Sequence, residues 1–322
     1  MTRAYNTATT QQNSGGAVAG VTAGKNLVIN GAFDFWQRGT TFTNPGANTY
    51  GPDRWTIGDN TGCVYTRQSS DAPTGFQYFM RVFRTAGTSN TSNINVVQSI
   101  DTPTSIPFAG KTVTLSLYLR KGANGPSNLN IALVWGTQTD GSLWGGGGNG
   151  GSIVAVSQAI TTSWTRYTYT ATVPSNATQL FVWAYYAGSG TSPANEYFDI
   201  TGVQLEVGNV ATPFSRAAGT VQGEFAACQR YYQIAGDTIY EIMDGGYMTS
   251  GSVAYPSWIF SVPMRGVPTG TVVGSWAILN VGQPVLQASQ QRGFCLRATS
   301  GTTGAYYFHS NTTYYLTFSA EI

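Results

Sequence analysis

Short segments in which apolar and polar side chains alternate constrain this chain more than any other feature of its sequence. In the segment 111–120, aliphatic residues occupy every second position from Val113 to Leu119. A period of two places one set of side chains on the core face of a strand and the other set on a face exposed to solvent. Segments 129–135 and 164–173 repeat the pattern, and clusters of Gly, Pro and Asn separate them. Alternating segments divided by turn residues predict an all-β sandwich or barrel.

Composition supports strands over helices. Only 9% of the residues are charged, whereas the chain has 40 Gly and 19 Tyr. Stable helices need runs of Ala, Leu, Glu, Lys and Arg, and such runs are nearly absent.

A net charge of +2 without a Lys/Arg cluster argues against nucleic acid as a partner. No stretch of about 20 apolar residues occurs, so we expect no membrane insertion.

One segment has the periodicity of a helix. Between Thr220 and Gln233, an apolar stripe is formed by Val221, Phe225, Cys228 and Tyr232, and Glu224 is expected away from this stripe. The segment predicts a short helix between two β domains. Because 322 residues exceed the usual size of one small domain, two compact units are expected.

Residues suited to catalysis are few. The single histidine, His309, lies among predicted strands, and no Gly-x-Ser-x-Gly motif is present. Cys63, Cys228 and Cys295 do not have the spacing of metal ligands, so no metal or other cofactor is expected. A glycoside hydrolase needs only two carboxylates about 5 to 10 Å apart. The densest acids, Glu196, Asp199 and Glu206, fall in one predicted strand, with Asp199 on the opposite face from the other two. We therefore expect no enzymatic activity.

Aromatic residues are more numerous than cores of this size require. Sugar rings stack their C–H faces on aromatic planes and need polar side chains close by for their hydroxyl groups. Side chains that fit this combination are the candidates for a glycan-binding surface, namely Trp144, Trp183, Tyr185, Tyr118 and Arg120. An alternative for Trp183 and Tyr185 is that they cover the second face of the sandwich or form a subunit contact.

Several segments resemble a known class of protein. In chain order they are Asn26–Gly39, Asp53-Arg54-Trp55, Val203–Gly208 with Ala211–Phe214, Glu224–Tyr232, Val262–Arg265 with Pro268-Thr269, and Ala320–Ile322. Together they resemble the carbohydrate-binding-module-like jelly roll and the C-terminal β domain of bacteriophage and prophage tail-fibre proteins. The resemblance implies a paired Asp53 and Arg54 near the core edge, and a Glu206 that accepts hydrogen bonds where the first and last strands meet.

The resemblance also implies an organisation. A flexible N-terminal arm, residues 1–25, would attach the chain to other virion proteins, although a frayed terminus is the alternative. A jelly-roll β-sandwich would span 26–216, a linking helix 217–233, and a second, smaller β-sandwich 234–322.

The implied function is that of a virion structural protein, assembled in the cytoplasm of the host bacterium as a homotrimer, which contacts host cell-surface glycans as a tail fibre or receptor-binding appendage. Two alternatives stay open. One is a head, neck or baseplate component that binds no glycan, and the other is a polysaccharide-degrading appendage.

Overall fold

The computed structural model describes residues 25–58, 62–143 and 149–322, so all of the predicted arm except Lys25 lies outside the described residues. Two units follow one another, and each consists mainly of antiparallel strands. The first unit contains the strands β1 (Thr41–Thr43), β2 (Thr49–Tyr50), β3 (Thr56–Gly58), β4 (Cys63–Gln68), β5 (Phe79–Arg84), β6 (Asn93–Ile100), β7 (Thr112–Lys121), β8 (Asn128–Gly136), β9 (Asn149–Ala159), β10 (Thr165–Thr172), β11 (Gln179–Ala187) and β12 (Glu196–Val207). A short helix α1 (Thr102–Ser105) and a 3₁₀ turn (Ile106–Phe108) connect β6 to β7.

These strands form two six-stranded sheets. The first sheet has the order β1-β4-β5-β12-β7-β10, and the second has the order β2-β3-β6-β11-β8-β9. Aliphatic side chains from both sheets meet in one buried core, and the alternating set from Val113 to Leu119 belongs to it. The sequence-based prediction of an all-β jelly-roll sandwich is therefore confirmed.

The outer face of the first sheet is less exposed than the alternation predicted. Thr114 and Ser116 are buried, because the segment after β12 folds back over them. The Thr114 hydroxyl donates a hydrogen bond to the Gly208 carbonyl at 2.8 Å, and Arg166 bridges Ser116 Oγ and the Thr212 carbonyl at 2.9 and 2.6 Å. The prediction that every second side chain of β7 faces solvent is wrong at these positions.

The second unit is smaller and is also built from strands. It contains β13 (Tyr232–Ala235), β14 (Met243–Met248), β15 (Val253–Ala254), β16 (Ser257–Ile259), β17 (Thr269–Val273), β18 (Ala277–Leu279), β19 (Val285–Gln290), β20 (Gly293–Thr299), β21 (Gly304–His309) and β22 (Tyr315–Ser319). Small antiparallel sheets of orders β13-β22-β17, β14-β21-β18 and β15-β20-β16, with β19 beside β20, surround one core. Leu316 and Phe318 of β22 are fully buried there.

A helix, α2 (Val221–Gln229), links the two units and lies within the predicted segment. The Thr220 hydroxyl caps it by accepting a hydrogen bond from the Gly223 amide at 3.0 Å. The predicted stripe is only partly correct, because Val221 is exposed and Glu224 is buried. The Glu224 carboxylate accepts hydrogen bonds from the Asn30 and Ala218 amides at 2.6 and 3.1 Å, which explains how a charged residue occupies a buried position.

Buried ion pairs hold the second unit against the first. Arg54 pairs with Glu321 and its guanidinium lies 3.6 Å from the centroid of the Tyr231 ring. Asp53 pairs with Arg38 at 3.5 Å, and Arg54 pairs with Glu321. The pairing of Asp53 with Arg54 that the resemblance implied is therefore wrong. Arg54 connects the first unit to Glu321 near the end of the chain, whereas the carboxylate of Asp53 accepts hydrogen bonds from Gln37 within the first unit.

Burial gives Asp53 an unusual titration, and this predicts a dependence of stability on pH. Desolvation raises the pKa of the Asp53 carboxyl from 3.8 to about 6, although Arg38 opposes the rise. A raised pKa means that the folded state retains the proton between about pH 4 and 6 while the unfolded state has lost it. The contribution of Asp53 to the free energy of unfolding is therefore fully present below pH 4 and is lost as the pH rises through 6. The loss amounts to about 3 kcal/mol.

The measurement is urea unfolding of the wild type and of Asp53→Asn at several pH values. Subtracting the two free energies of unfolding cancels the titration of other carboxyl groups. We expect this difference to change by up to about 3 kcal/mol between pH 4 and pH 7, with the wild type losing relative stability as pH rises. A difference that stays constant over this range would contradict the assignment.

Candidate functional site

Trp183 and Tyr185 form a stacked aromatic pair on the outer face of the second sheet. Their ring centroids lie 4.0 Å apart with an angle of 22° between the planes, and both side chains are half-buried. They project to the same side because they are two residues apart on β11, whereas Leu180 and Val182 face the core. The two rings stack face to face, so the pair presents ring edges and the outer faces of the stack, and it is here called the aromatic platform.

Amide side chains flank this platform. Tyr185 lies directly opposite Asn95 of β6 and Asn130 of β8, and Asn130 in turn lies opposite Ser157 of β9. The Trp183 indole N–H donates a hydrogen bond to Asn95 Oδ1 at 3.0 Å, which fixes the orientation of the indole ring. Apolar rings beside amide and hydroxyl groups are the combination that a saccharide surface requires.

Apolar side chains cover one end of the same sheet face. Phe181 is fully buried with Val97, Ala132 and Val134, and Leu143 packs into this second apolar cluster. Phe181 and its neighbours therefore cover part of the second face of this sheet. Trp183 contacts the edge of the cluster, while Tyr185 lies beyond it. Trp144, the other tryptophan predicted for glycan binding, lies outside the described residues.

Tyr118 and Arg120 lie on the opposite sheet, so the five predicted residues do not form one site. Tyr118 is half-buried against Phe76, with ring centroids 5.3 Å apart. Arg120 donates to Asp199 Oδ2 at 2.8 Å and pairs with Asp71. Both side chains therefore have structural partners, and a role for them in glycan binding stays a prediction.

The carboxylates of β12 are placed differently from the prediction. A β-bulge between Thr201 and Gln204 shifts the register, and Gly202 adopts a φ of 62° within it. Asp199 and Glu206 lie opposite Arg120 and Thr114, which share one face of β7, so the predicted opposite orientation of Asp199 and Glu206 is wrong. Six residues separate these partners, which corresponds to about 20 Å. That distance is too long for a pair of hydrolytic carboxylates.

The buried carboxylates of this strand are held by donors. Asp199 accepts three hydrogen bonds of 2.8 to 2.9 Å from Arg81 and Arg120. Glu206 accepts from Gln204 Nε2 at 2.6 Å and from the Thr212 amide at 2.9 Å, as the resemblance implied for an acceptor beside the closing strand.

Within the described residues, no group of three His, Cys, Asp or Glu side chains could hold a metal ion. No helix in this part of the chain is long and apolar enough to cross a membrane.

Sequence reasoning identified the aromatic platform but not its polar neighbours. Asn95 and Asn130 are distant from Tyr185 in the sequence, and only the strand order β6-β11-β8 brings them to its sides. Arg81 and Asp199 were missed as partners of Arg120 for the same reason. Strand pairing over such separations has no signal in a single sequence.

Comparisons with known proteins give matches among solved structures only. No protein-family model matches the chain, and no curated protein sequence matches it. A structure described as "CBM4 structure and function" shares 22% identity over 56% of this chain and 98% of its own, with a TM-score of 0.35. The CBM22-1 xylan-binding domain from Paenibacillus barcinonensis shares 12% identity over 59% of this chain and 98% of its own, with a TM-score of 0.35.

A bacteriophage structure also belongs to these matches. The enzymatically active domain of tailspike protein 4 from bacteriophage CBA120 shares 13% identity over 57% of this chain and 21% of its own, with a TM-score of 0.39. Carbohydrate-binding modules and one phage tailspike domain are therefore among the structures that this chain is similar to, at low identity.

Proposed function

We propose that this chain binds glycans without hydrolysing them, as a tail fibre or similar receptor-binding appendage of a bacteriophage particle. The observation that carries the glycan-binding part is the aromatic platform of Trp183 and Tyr185 flanked by Asn95 and Asn130. The outer ring faces supply stacking surface for pyranose C–H groups, and the half-buried Asn130 amide supplies a donor and an acceptor for hydroxyl groups. Asn95 is buried and holds the Trp183 indole in place.

The absence of hydrolysis is part of the proposal. Asp199 and Glu206 are held by arginine, amide and hydroxyl donors, and about 20 Å separates them along the sheet. On the platform face, the polar residues paired with Tyr185 and its neighbours are amides and a serine. Such groups bind hydroxyls but supply neither the acid nor the nucleophile that glycoside hydrolysis needs.

Two features support the virion role and the homotrimer. The ordered motifs from Asn26 to Ile322 resemble those of phage tail-fibre proteins. In addition, the outer face of the sheet β14-β21-β18 exposes Met243, Tyr247, Leu279 and Tyr307 without a charged residue between them. An exposed apolar sheet face of this kind suits contact between copies of the chain. Several copies on one particle would raise the avidity of a weak glycan site.

Binding of the purified protein to an array of bacterial capsular and lipopolysaccharide glycans tests the glycan role. We expect Trp183→Ala and Tyr185→Ala to weaken binding by about 10-fold or more, since aromatic contacts dominate such surfaces. Tyr255→Ala removes a 58% exposed tyrosine from the second unit and serves as the matched control with unchanged binding. The melting temperature of Tyr185→Ala should stay close to that of the wild type.

Other outcomes would favour the alternatives. Binding that survives both platform substitutions, or their failure to fold, would mean that the platform is structural. Antibodies that label particles in electron micrographs, combined with an absence of glycan binding, would favour a head, neck or baseplate component. Shortening of any polysaccharide on the array would favour a degrading appendage, and light scattering reports whether three chains associate.

A further inference from the structure

A concave surface lies on the opposite side of the sandwich from the aromatic platform. It is a cavity of about 480 Å³ at the outer face of the first sheet, between β5, β7 and β12. Arg81, Arg120, Lys121, Asp71 and Tyr197 contribute to its walls. Its volume falls within the range of sites that hold a small ligand.

Cations outnumber anions at this cavity. Arg81 and Arg120 share one carboxylate, that of Asp199, which is fully buried beneath them. The Lys121 ammonium group has no hydrogen-bond or ion-pair partner among the described residues. Asp71 pairs with Arg120, but its side chain is 78% exposed. Three cations therefore face two carboxylates, and one of these carboxylates is held only at the surface.

The arginines are fixed in position before any ligand arrives. Arg81 donates two hydrogen bonds to Asp199 at 2.8 and 2.9 Å, and its guanidinium lies 3.9 Å from the centroid of the Tyr197 ring. Arg120 donates to the same carboxylate and lies 4.7 Å from the centroid of the Trp164 ring. Side chains held in this way lose little entropy on binding an anion.

We propose that this cavity binds an acidic saccharide, with the ligand's anionic group on Lys121 and on the edge of Arg120 that Asp71 now covers. The exposed Asp71 carboxylate acts as an internal competitor that the ligand displaces. Neutral donors and acceptors at the rim, Gln68, Ser70 and Thr162, suit the hydroxyl groups of the same sugar. The choice of a saccharide rests on the proposed function, whereas the preference for an anion rests on the cavity alone.

An NMR titration with D-glucuronic acid tests the proposal, with D-glucose as the matched neutral sugar. We expect glucuronic acid to shift the amide signals of Gly122 and Thr162, and glucose to leave them unchanged. Lys121→Gln should weaken the affinity for glucuronic acid by about 5–10-fold, because it removes a charge-assisted contact. Asp71→Asn should strengthen it by about threefold, because the competitor loses its charge. Asn also tolerates the φ of 66° at this position.

Two results would overturn the proposal: glucose bound as tightly as glucuronic acid, or a Lys121→Gln variant with unchanged affinity. Inorganic phosphate is the third probe. If phosphate matches glucuronic acid in affinity, the cavity prefers anions without reading the sugar, which overturns the saccharide part.

The same measurements separate this proposal from the proposed function. Trp183→Ala removes the aromatic platform and should leave the glucuronic acid titration unchanged, since the two surfaces lie on different sheets. If the array shows no binding while the titration depends on Lys121, the proposed function fails and the acidic-ligand site stands. If array binding depends on Trp183 while no probe shifts the amide signal of Gly122, the proposed function stands and the acidic-ligand site fails.

Discussion

Replacing Arg84 by Met is expected to lower the free energy of unfolding by about 3–5 kcal/mol. Arg84 is 0% exposed at the end of β5. Its guanidinium donates to the carbonyls of Asn90 and Thr88 at 2.9 and 3.0 Å and to the Gly190 carbonyl, and it pairs with Glu196 at 3.1 Å. Methionine fills a similar volume but donates nothing, so buried acceptors lose their donor and Glu196 loses its cation.

Urea unfolding monitored by tryptophan fluorescence measures this effect. Arg297→Met is the matched control, because Arg297 is exposed on β20, and we expect a change within about 0.5 kcal/mol. Arg84→Lys keeps the charge but supplies fewer donors in a fixed plane, so it should fall between the two. Equal stability of the Arg84→Met and Arg297→Met variants would show that this hydrogen-bond network contributes little.

The sequence predicted those features of the fold that depend on neighbours along the chain. The alternation from Val113 to Leu119 was sufficient to identify a strand and its core face, because side chains two residues apart share a face whatever the strand pairs with. The link between the units was found because helical periodicity is also local, and the Thr220 cap agrees with its start.

Features that depend on distant segments were missed. The bulge at Gly202 reverses the faces assigned along β12, and the rings of Phe76 and Tyr118 leave no space there for a side chain. Glu224 is buried because the Asn30 and Ala218 amides need an acceptor, and neither amide is marked in the sequence.

The candidate site shows the same division. Trp183 and Tyr185 were paired correctly because they are two residues apart on one strand. Their polar neighbours, and the partners of Arg120, come from strands far away in the sequence. A single sequence therefore indicated the aromatic surface but not the groups that would give it specificity.

Replacing Arg54 by Met is expected to destabilise the protein by about 3–5 kcal/mol through a different contact, the one between the two units. Arg54 is 2% exposed, pairs with Glu321, and donates to the Ser99 carbonyl at 2.7 Å. The side chain of Glu321 is only 4% exposed. Without Arg54, this carboxylate keeps Arg38 alone, at 3.1 Å, as its cationic partner.

A double-mutant cycle with Arg54→Met, Glu321→Met and the combined variant isolates the pair in urea unfolding. We expect the combined variant to be more stable than the sum of the single losses predicts, because replacing both charges leaves neither one buried alone. Strictly additive losses would mean that the two side chains act independently. Since Arg54 belongs to the first unit and Glu321 follows the last strand of the second, a large coupling free energy would show that the units stabilise each other. The second unit would then be part of the same cooperative structure as the sandwich of the first unit.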